Sequence, residues 1–144
     1  MKTPRLLLAL LALAVPGALI AGCGDDEKSA SSAEEREEAA ATPQEARAEI
    51  GEVRALLAQA EAKVEAGERS AADRLVGDAY LEHFEKVEGP LEEKNHELME
   101  ELEQQIATEL RDEIKAGAPP AKVARLVDEV EAGLDKAEAL LGQS

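Results

Sequence analysis

TPQEARAEIGEVRALLAQAEAKVEAG, residues 42–67, is the stretch from which the fold class is read. Thr42 can cap a helix, Pro43 suits the first helical position, and Glu45 completes a capping box with Thr42. Ala46, Ile50, Val53, Leu57, Ala60 and Val64 then recur at alternating steps of four and three. That spacing draws one apolar stripe along a helix and leaves Glu and Arg on the other faces. Gly67 is the expected stop, because glycine takes the left-handed conformation that closes a helix without a Cβ penalty.

Three more segments repeat the pattern. A second helix is predicted from about Ser70, with Val76, Tyr80, Phe84, Val87 and Leu91 on its apolar face. Gly89-Pro90 is expected to kink or end it, since proline removes a backbone donor and crowds the preceding turn. Asn95 can cap a third helix bearing Leu98, Leu102, Ile106, Leu110 and Ile114, which Gly117 ends. Pro119-Pro120 opens a fourth, with Val123, Val127, Val130, Leu134, Ala137 and Leu141 again at four-three steps. No segment alternates as a strand does. Short connections force neighbours to run antiparallel, so an all-α, four-helix antiparallel bundle is expected over residues 42–144. With only one Phe and one Tyr and many alanines, its stability should sit low in the usual range of about 5–15 kcal/mol.

The chain also echoes itself at a spacing of fifty. Val64, Ala66, Gly67, Asp78, Phe84, Glu85, Lys86, Glu88 and Leu91 align with Ile114, Ala116, Gly117, Asp128, Leu134, Asp135, Lys136, Glu138 and Leu141. Either the domain is two related helix hairpins, or an Ala/Glu-rich chain resembles itself by chance.

Upstream of Thr42 the character changes. Lys2 and Arg5 precede an uncharged apolar run from Leu6 to Ile20, too short for a comfortable membrane span. Small residues Ala21 and Gly22 then precede Cys23, the sole cysteine. The layout is that of a signal peptide, and Leu19-Ile20-Ala21-Gly22-Cys23 resembles the lipobox of bacterial lipoproteins. The resemblance implies a signal peptide over 1–22, lipid on Cys23, and a place on the extracytoplasmic face of a bacterial cell membrane. An ordinary signal peptide with an incidental cysteine, or an uncleaved anchor, is the alternative. Each buried lipid methylene contributes about 0.8 kcal/mol, so several chains on one residue anchor stably. Residues 23–41 are acidic and Ser/Ala-rich without a large apolar side chain, and read as a lipidated tether.

Charge narrows the partners. The chain holds 16 Lys+Arg against 32 Asp+Glu, and removal of Lys2 and Arg5 with the signal peptide leaves 14 against 32, a net of −18. Such a surface repels nucleic acid and anionic headgroups. It suits cations, or serves solubility alone.

The densest candidate chemistry lies between Ala79 and Leu91, which holds both aromatics and His83. Glu88 falls four residues after Phe84 and three before Leu91, close to the apolar face, and Glu138 holds the same place between Leu134 and Leu141. A carboxylate drawn toward a core must be paired, protonated or metal-bound. Facing carboxylates and imidazoles inside a helical bundle are the usual materials of a metal site, so Glu85, Glu88, His83, Asp135 and Glu138 form a candidate ligand set for iron or another metal cation. The bland reading is that these groups reach water at the edge of the stripe or pair with Lys and Arg. Glu93-Lys94-Asn95-His96 has the Glu-x-x-His spacing of di-iron proteins once, across a predicted helix break, and no second copy exists. His96 itself is expected at the surface. No serine or cysteine nucleophile, His-Glu-x-x-His, phosphate loop or calcium loop is present, so no enzymatic activity is expected.

Ala79-Tyr80-Leu81, Phe84-Glu85, Val87-Glu88, Leu91 and the acidic helix ending in Ile114-Lys115-Ala116-Gly117-Ala118 carry a second resemblance. The stretch from Gly67 to Leu141 is similar to the extracytoplasmic helical region of bacterial iron permeases of the high-affinity iron transporter family. In that family the region precedes a membrane permease with Arg-Glu-x-x-Glu motifs. This sequence contains no such motif and no apolar span after Cys23. The resemblance therefore implies only a lipid-tethered soluble part that binds a cation, or a membrane permease, in iron uptake. The alternative expectation is a scaffolding envelope lipoprotein that holds another protein on its surface.

Overall fold

The computed structural model describes residues 41–143. The expected signal peptide, Cys23 and the tether up to residue 40 lie outside the described residues. The domain is all-α: α1 spans Pro43–Glu65, a long α2 runs over residues 69–116, and α3 spans Pro120–Leu141. Three helices thus stand where four were expected. The middle one is long and bent, and none among the described residues is long and apolar enough to cross a membrane.

The ends follow local chemistry. The Thr42 Oγ1 accepts from the Glu45 N–H at 3.3 Å, and Glu45 Oε2 accepts from the Thr42 N–H at 2.8 Å, completing the capping box. Gly67 closes α1 at φ 77° and Gly117 closes α2 at φ 81°. The bonds at the two turns match: Glu68 N–H to Lys63 O and Gly67 N–H to Val64 O, then Ala118 N–H to Glu113 O and Gly117 N–H to Ile114 O. These are two Schellman motifs fifty residues apart.

Pro90 neither ends nor breaks α2. It lies buried inside the helix beside buried Leu91, so packing holds the arm against the core on both sides of the missing donor. The bend comes five residues later, at Asn95, whose backbone leaves helical geometry (φ −160°, ψ 90°). Its Oδ1 accepts from the Leu98 N–H at 3.1 Å, the capping role expected of it. The arms 69–94 and 96–116 then lie antiparallel. Arg111 Nε donates to Asp73 Oδ1 at 2.9 Å, and the Arg111 guanidinium lies 3.4 Å from where a Cβ on Gly77 would sit.

Each arm also contains a widened π-helical stretch, Ala79–Phe84 and Gln104–Leu110. Core spacing explains both. The buried residues of α1 (Ala46, Ile50, Val53, Leu57, Ala60, Val64) and of α3 (Val123, Val127, Val130, Leu134, Ala137, Leu141) step by four and three in turn. The first arm steps by five from Ala79 to Phe84, and the second steps by four three times from Leu102 through Ile106 and Leu110 to Ile114. Each arm therefore carries one residue too many for a regular helix. Left uncorrected, it would turn the stripe by about 100° away from the core. A π turn takes up the extra residue and returns the stripe to its face.

The core is wholly hydrophobic, with no buried polar or charged residue among the described ones. Small side chains let the helices approach closely. The tightest place is Gly133 on α3, where a Cβ would lie 2.6 Å from Leu102 Cδ2 on the second arm. Ion pairs then tie neighbouring segments: Glu49 to Lys86, Asp73 to Arg111, Glu113 to Lys122, and Arg54 to Glu131 and Asp135.

Candidate functional site

The five residues expected as metal ligands fall into separate places. His83 Nδ1 lies 2.6 Å from Glu49 Oε2 on α1, and Lys86 Nζ is 3.3 Å from the other oxygen of the same carboxylate. Burial opposes ionisation of Glu49, but the bonds from His83 and Lys86 outweigh it and hold the carboxyl below its ordinary value. Asp135 and Glu138 face α1, where Arg54 reaches Asp135 at 2.7 Å, Glu131 at 3.0 Å and Glu138 at 3.6 Å. Arg47 is 3.5 Å from Glu138 as well. Glu85 is exposed on the first arm. Among the described residues no three His, Cys, Asp or Glu side chains are grouped to hold a metal ion. The expected ligand set does not assemble: α1 supplies polar partners to His83, Asp135 and Glu138, and Glu85 stays exposed on the first arm. His96 stays at the surface between Glu92 and Glu100.

Glu88 is different. It is partly buried, its Oε1 is out of contact with water, and that atom has no hydrogen-bond partner. Across the bent helix stands Glu103, whose Oε1 accepts from the Tyr80 hydroxyl at 3.4 Å. Glu88 and Glu103 form no ion pair among the described residues; the charges that act on Glu88 are those of Glu103, Glu85 and Glu92. Burial raises the Glu88 carboxyl above its ordinary value. The nearby Tyr80 hydroxyl works the other way, and the three neighbouring carboxylates push it up again. Tyr80 is raised too, by burial first and then by Glu88, Glu103 and Glu85. Its ring stacks on Phe84 with centroids 6.3 Å apart, which fixes the hydroxyl between the arms.

The cluster sits where the two π stretches face each other. Tyr80 lies inside the first, and Glu103 immediately precedes the second. Such bulges occur often at functional sites, because they redirect side chains that a regular helix would hold elsewhere. Beside it, Leu81 is 57 % exposed, the one large hydrophobic left open among the described residues. Glu82 and Glu85 next to it are also exposed.

Sequence reasoning reaches Glu88 but misses Tyr80 and Glu103 as its neighbours, and Glu49 as the partner of His83. Periodicity puts Tyr80 in the apolar stripe, which it borders. Glu103 carries one usable signal: it follows the buried Leu102 directly, where the run of four-residue steps to Ile114 departs from the four-three rhythm. Chemically the arrangement offers two carboxylates and a phenol to a positively charged group, and nothing that acts as a nucleophile. No protein-family model, curated protein or solved structure significantly matches the chain.

Proposed function

We propose that this chain is a lipid-anchored, extracytoplasmic bacterial envelope protein that works by binding and not by catalysis. In this reading lipid on Cys23 holds the protein at the membrane, and an acidic tether joins it to the helical domain. We read α1, the two arms of α2 and α3 together as an antiparallel four-helix bundle made of two related hairpins. The matching turns at Gly67 and Gly117 and the facing arms of α2 support that view.

The domain's task in this proposal is to receive a basic segment of a partner protein along the edge of the first arm where it meets the second. One observation carries it: the Glu88 carboxylate is drawn inward beside Glu103 and Tyr80 and has an oxygen without a donor. A lysine or arginine from a partner would supply that donor once the part-exposed Glu88 side chain turns its carboxylate outward, and the Tyr80 ring would add a cation–π contact. Leu81, open and rimmed by Glu82 and Glu85, gives the same segment an apolar anchor.

A second reading, binding of a ferric or other hard cation in iron uptake, rests on the same oxygen-donor set of Glu88, Glu103 and Tyr80. A single experiment separates them. Membranes solubilised in mild detergent are probed with the tagged chain and with its Glu88→Gln and Leu81→Glu variants. In parallel, ferric, ferrous, copper and zinc ions are titrated by calorimetry. A stoichiometric partner lost in both variants, without metal binding, supports the docking reading. Metal binding lost only in Glu88→Gln supports the cation. Retention of the same partner by both variants, with no metal bound, refutes the site.

A further inference from the structure

A different feature, the bend of α2, carries an inference of its own. Helix-to-helix connections usually take about 2–8 residues. The two other connections here each take three, Ala66 to Glu68 and Gly117 to Pro119. The bend takes one. Helix runs up to it and away from it, and only Asn95 departs from helical angles. The break is held by a side chain, with Asn95 Oδ1 standing in for a backbone carbonyl to the Leu98 N–H. Asn95 at φ −160° is in ordinary extended backbone, so nothing but this cap and the packing of the arms opposes a return to helix.

The bend also divides the domain into two parts of similar length. Residues 43–94 and 96–141 are each a helix hairpin closed by the same Schellman turn, fifty residues apart. The contacts that join the parts run across the bend: Asp73 to Arg111 and Lys115, Tyr80 to Glu103, and Arg54 to Glu131 and Asp135. None of these contacts depends on both parts belonging to one chain.

We propose that Asn95 is a hinge and that the bent chain takes a second copy of itself as a partner by exchanging halves. With Asn95 helical, residues 69–116 form one straight helix about 70 Å long at ~1.5 Å per residue. Residues 43–94 of one copy then pack on residues 96–141 of the other. Every interface of the closed chain is kept, and one helical turn replaces the cap. Short hinges favour such exchange, since a connection that barely reaches gains least from staying closed.

The test uses the Asp73–Arg111 pair in the full-length chain, in mild detergent. Asp73→Arg alone sets a new guanidinium against Arg111 and Lys115, and Arg111→Asp alone sets a second carboxylate against Asp73, so each closed chain has a like-charged clasp. In an exchanged pair of the two variants, one clasp joins the two introduced side chains and the other joins the native Asp73 and Arg111, so both unite opposite charges. The variants are therefore unfolded and refolded separately and together, then examined by light scattering and by circular dichroism at 222 nm. The expected result is a heterodimer whose midpoint exceeds that of either variant alone; where a variant alone fails to fold, helix appears on mixing. Asn95→Ala should tighten self-association roughly thirtyfold, the usual worth of a cap in each of the two copies. Insertion of Gly-Asn-Gly-Gly after Asn95 should return the chain to monomer. A mixture that melts as the sum of its parts, with no dimer and no regained helix, overturns the proposal, as does an Asn95→Ala chain that stays monomeric at millimolar concentration.

Discussion

Gly133→Ala measures how closely α3 and the second arm of α2 approach. A methyl at residue 133 would lie 2.6 Å from Leu102 Cδ2 and 3.3 Å from Leu102 Cγ. Carbon atoms rest about 3.5–4.0 Å apart, so Leu102 must withdraw by roughly 1 Å. Leu102 is fully buried, so any withdrawal presses on other core side chains. Overpacking of this kind costs about 1–3 kcal/mol. Against it stands the gain from removing a glycine inside a helix, about 0.8–1.0 kcal/mol. The net expectation is a loss of about 0–2 kcal/mol, read by thermal or urea unfolding at 222 nm. Gly51→Ala is the control, because Gly51 lies in α1, is exposed, and has nothing within 4 Å of the added methyl. It should stabilise by about 0.5–1 kcal/mol. Leu102→Ala costs about 2–5 kcal/mol by itself, but it opens the space that the Gly133 methyl needs. In that background Gly133→Ala should turn stabilising, a coupling of about 1–3 kcal/mol. If Gly133→Ala stabilises the wild type as much as Gly51→Ala does, the close approach is absent and the packing argument fails.

Gly67→Ala and Gly117→Ala should each destabilise by about 1–2 kcal/mol and by similar amounts, since both force a side chain into positive φ in the same motif; unequal losses in chemical denaturation would refute the equivalence of the two turns. Thr42→Ala should cost about 1 kcal/mol, or about 4–8 °C in a domain of this size, seen by calorimetry. Stability should peak in mildly acidic solution. The raised carboxyls of Glu88, Glu61 and Glu131 contribute stability that is complete below their ordinary value of 4.5 and fades as pH rises through their higher folded values. The lowered carboxyls of Glu49 and Asp73 contribute stability that is present above their ordinary values of 4.5 and 3.8 and is lost as pH falls through their lower folded values. Glu88→Gln should therefore raise the midpoint at pH 7 and flatten its decline above about pH 5; a steeper decline would sink the assignment.

How far the fold is legible depends on the regularity of each stripe. In α1 and α3 the four-three rhythm is unbroken, and the cap at Thr42, the stops at Gly67 and Gly117 and the start at Pro120 fall where local chemistry puts them. The bend of α2 is half-visible. Asn95 reads as a cap, but Gly89-Pro90 reads as the break. A proline lacks one donor wherever it sits, and only tertiary packing decides whether the helix survives it. Here buried Val87 and Leu91 hold the turn on either side of Pro90. The π stretches carry a signal of their own. Four consecutive steps of four, from Leu98 to Ile114, span sixteen residues, and a regular helix drifts by about 160° over that length. A core-facing stripe at that spacing requires an inserted residue somewhere along it.

The site is legible in one residue and not in its company. Glu88 and Glu138 hold the same register fifty residues apart, each between two core side chains, and periodicity gives them one expectation. The structure separates them through what faces each. Glu138 looks toward α1, which carries Arg47 and Arg54, and it becomes an ordinary half-exposed ion pair. Glu88 looks toward the second arm of its own helix, which presents Glu103, and among the described residues the donor at hand is the Tyr80 hydroxyl. The repeat supplies equivalent positions, while the neighbour decides their chemistry. A base placed opposite Glu88 should then make it behave as Glu138 does. Glu103→Arg puts a guanidinium where the second carboxylate stood and removes the largest of the like charges on Glu88. It should bring the Glu88 carboxyl down toward its ordinary value, as followed by carboxyl NMR titration. Stability at pH 7 should rise by about 1 kcal/mol, the scale of a partly exposed ion pair with good geometry. A Glu88 titration unmoved by Glu103→Arg would mean that burial alone sets its state, and that the two arms do not present their carboxylates to each other.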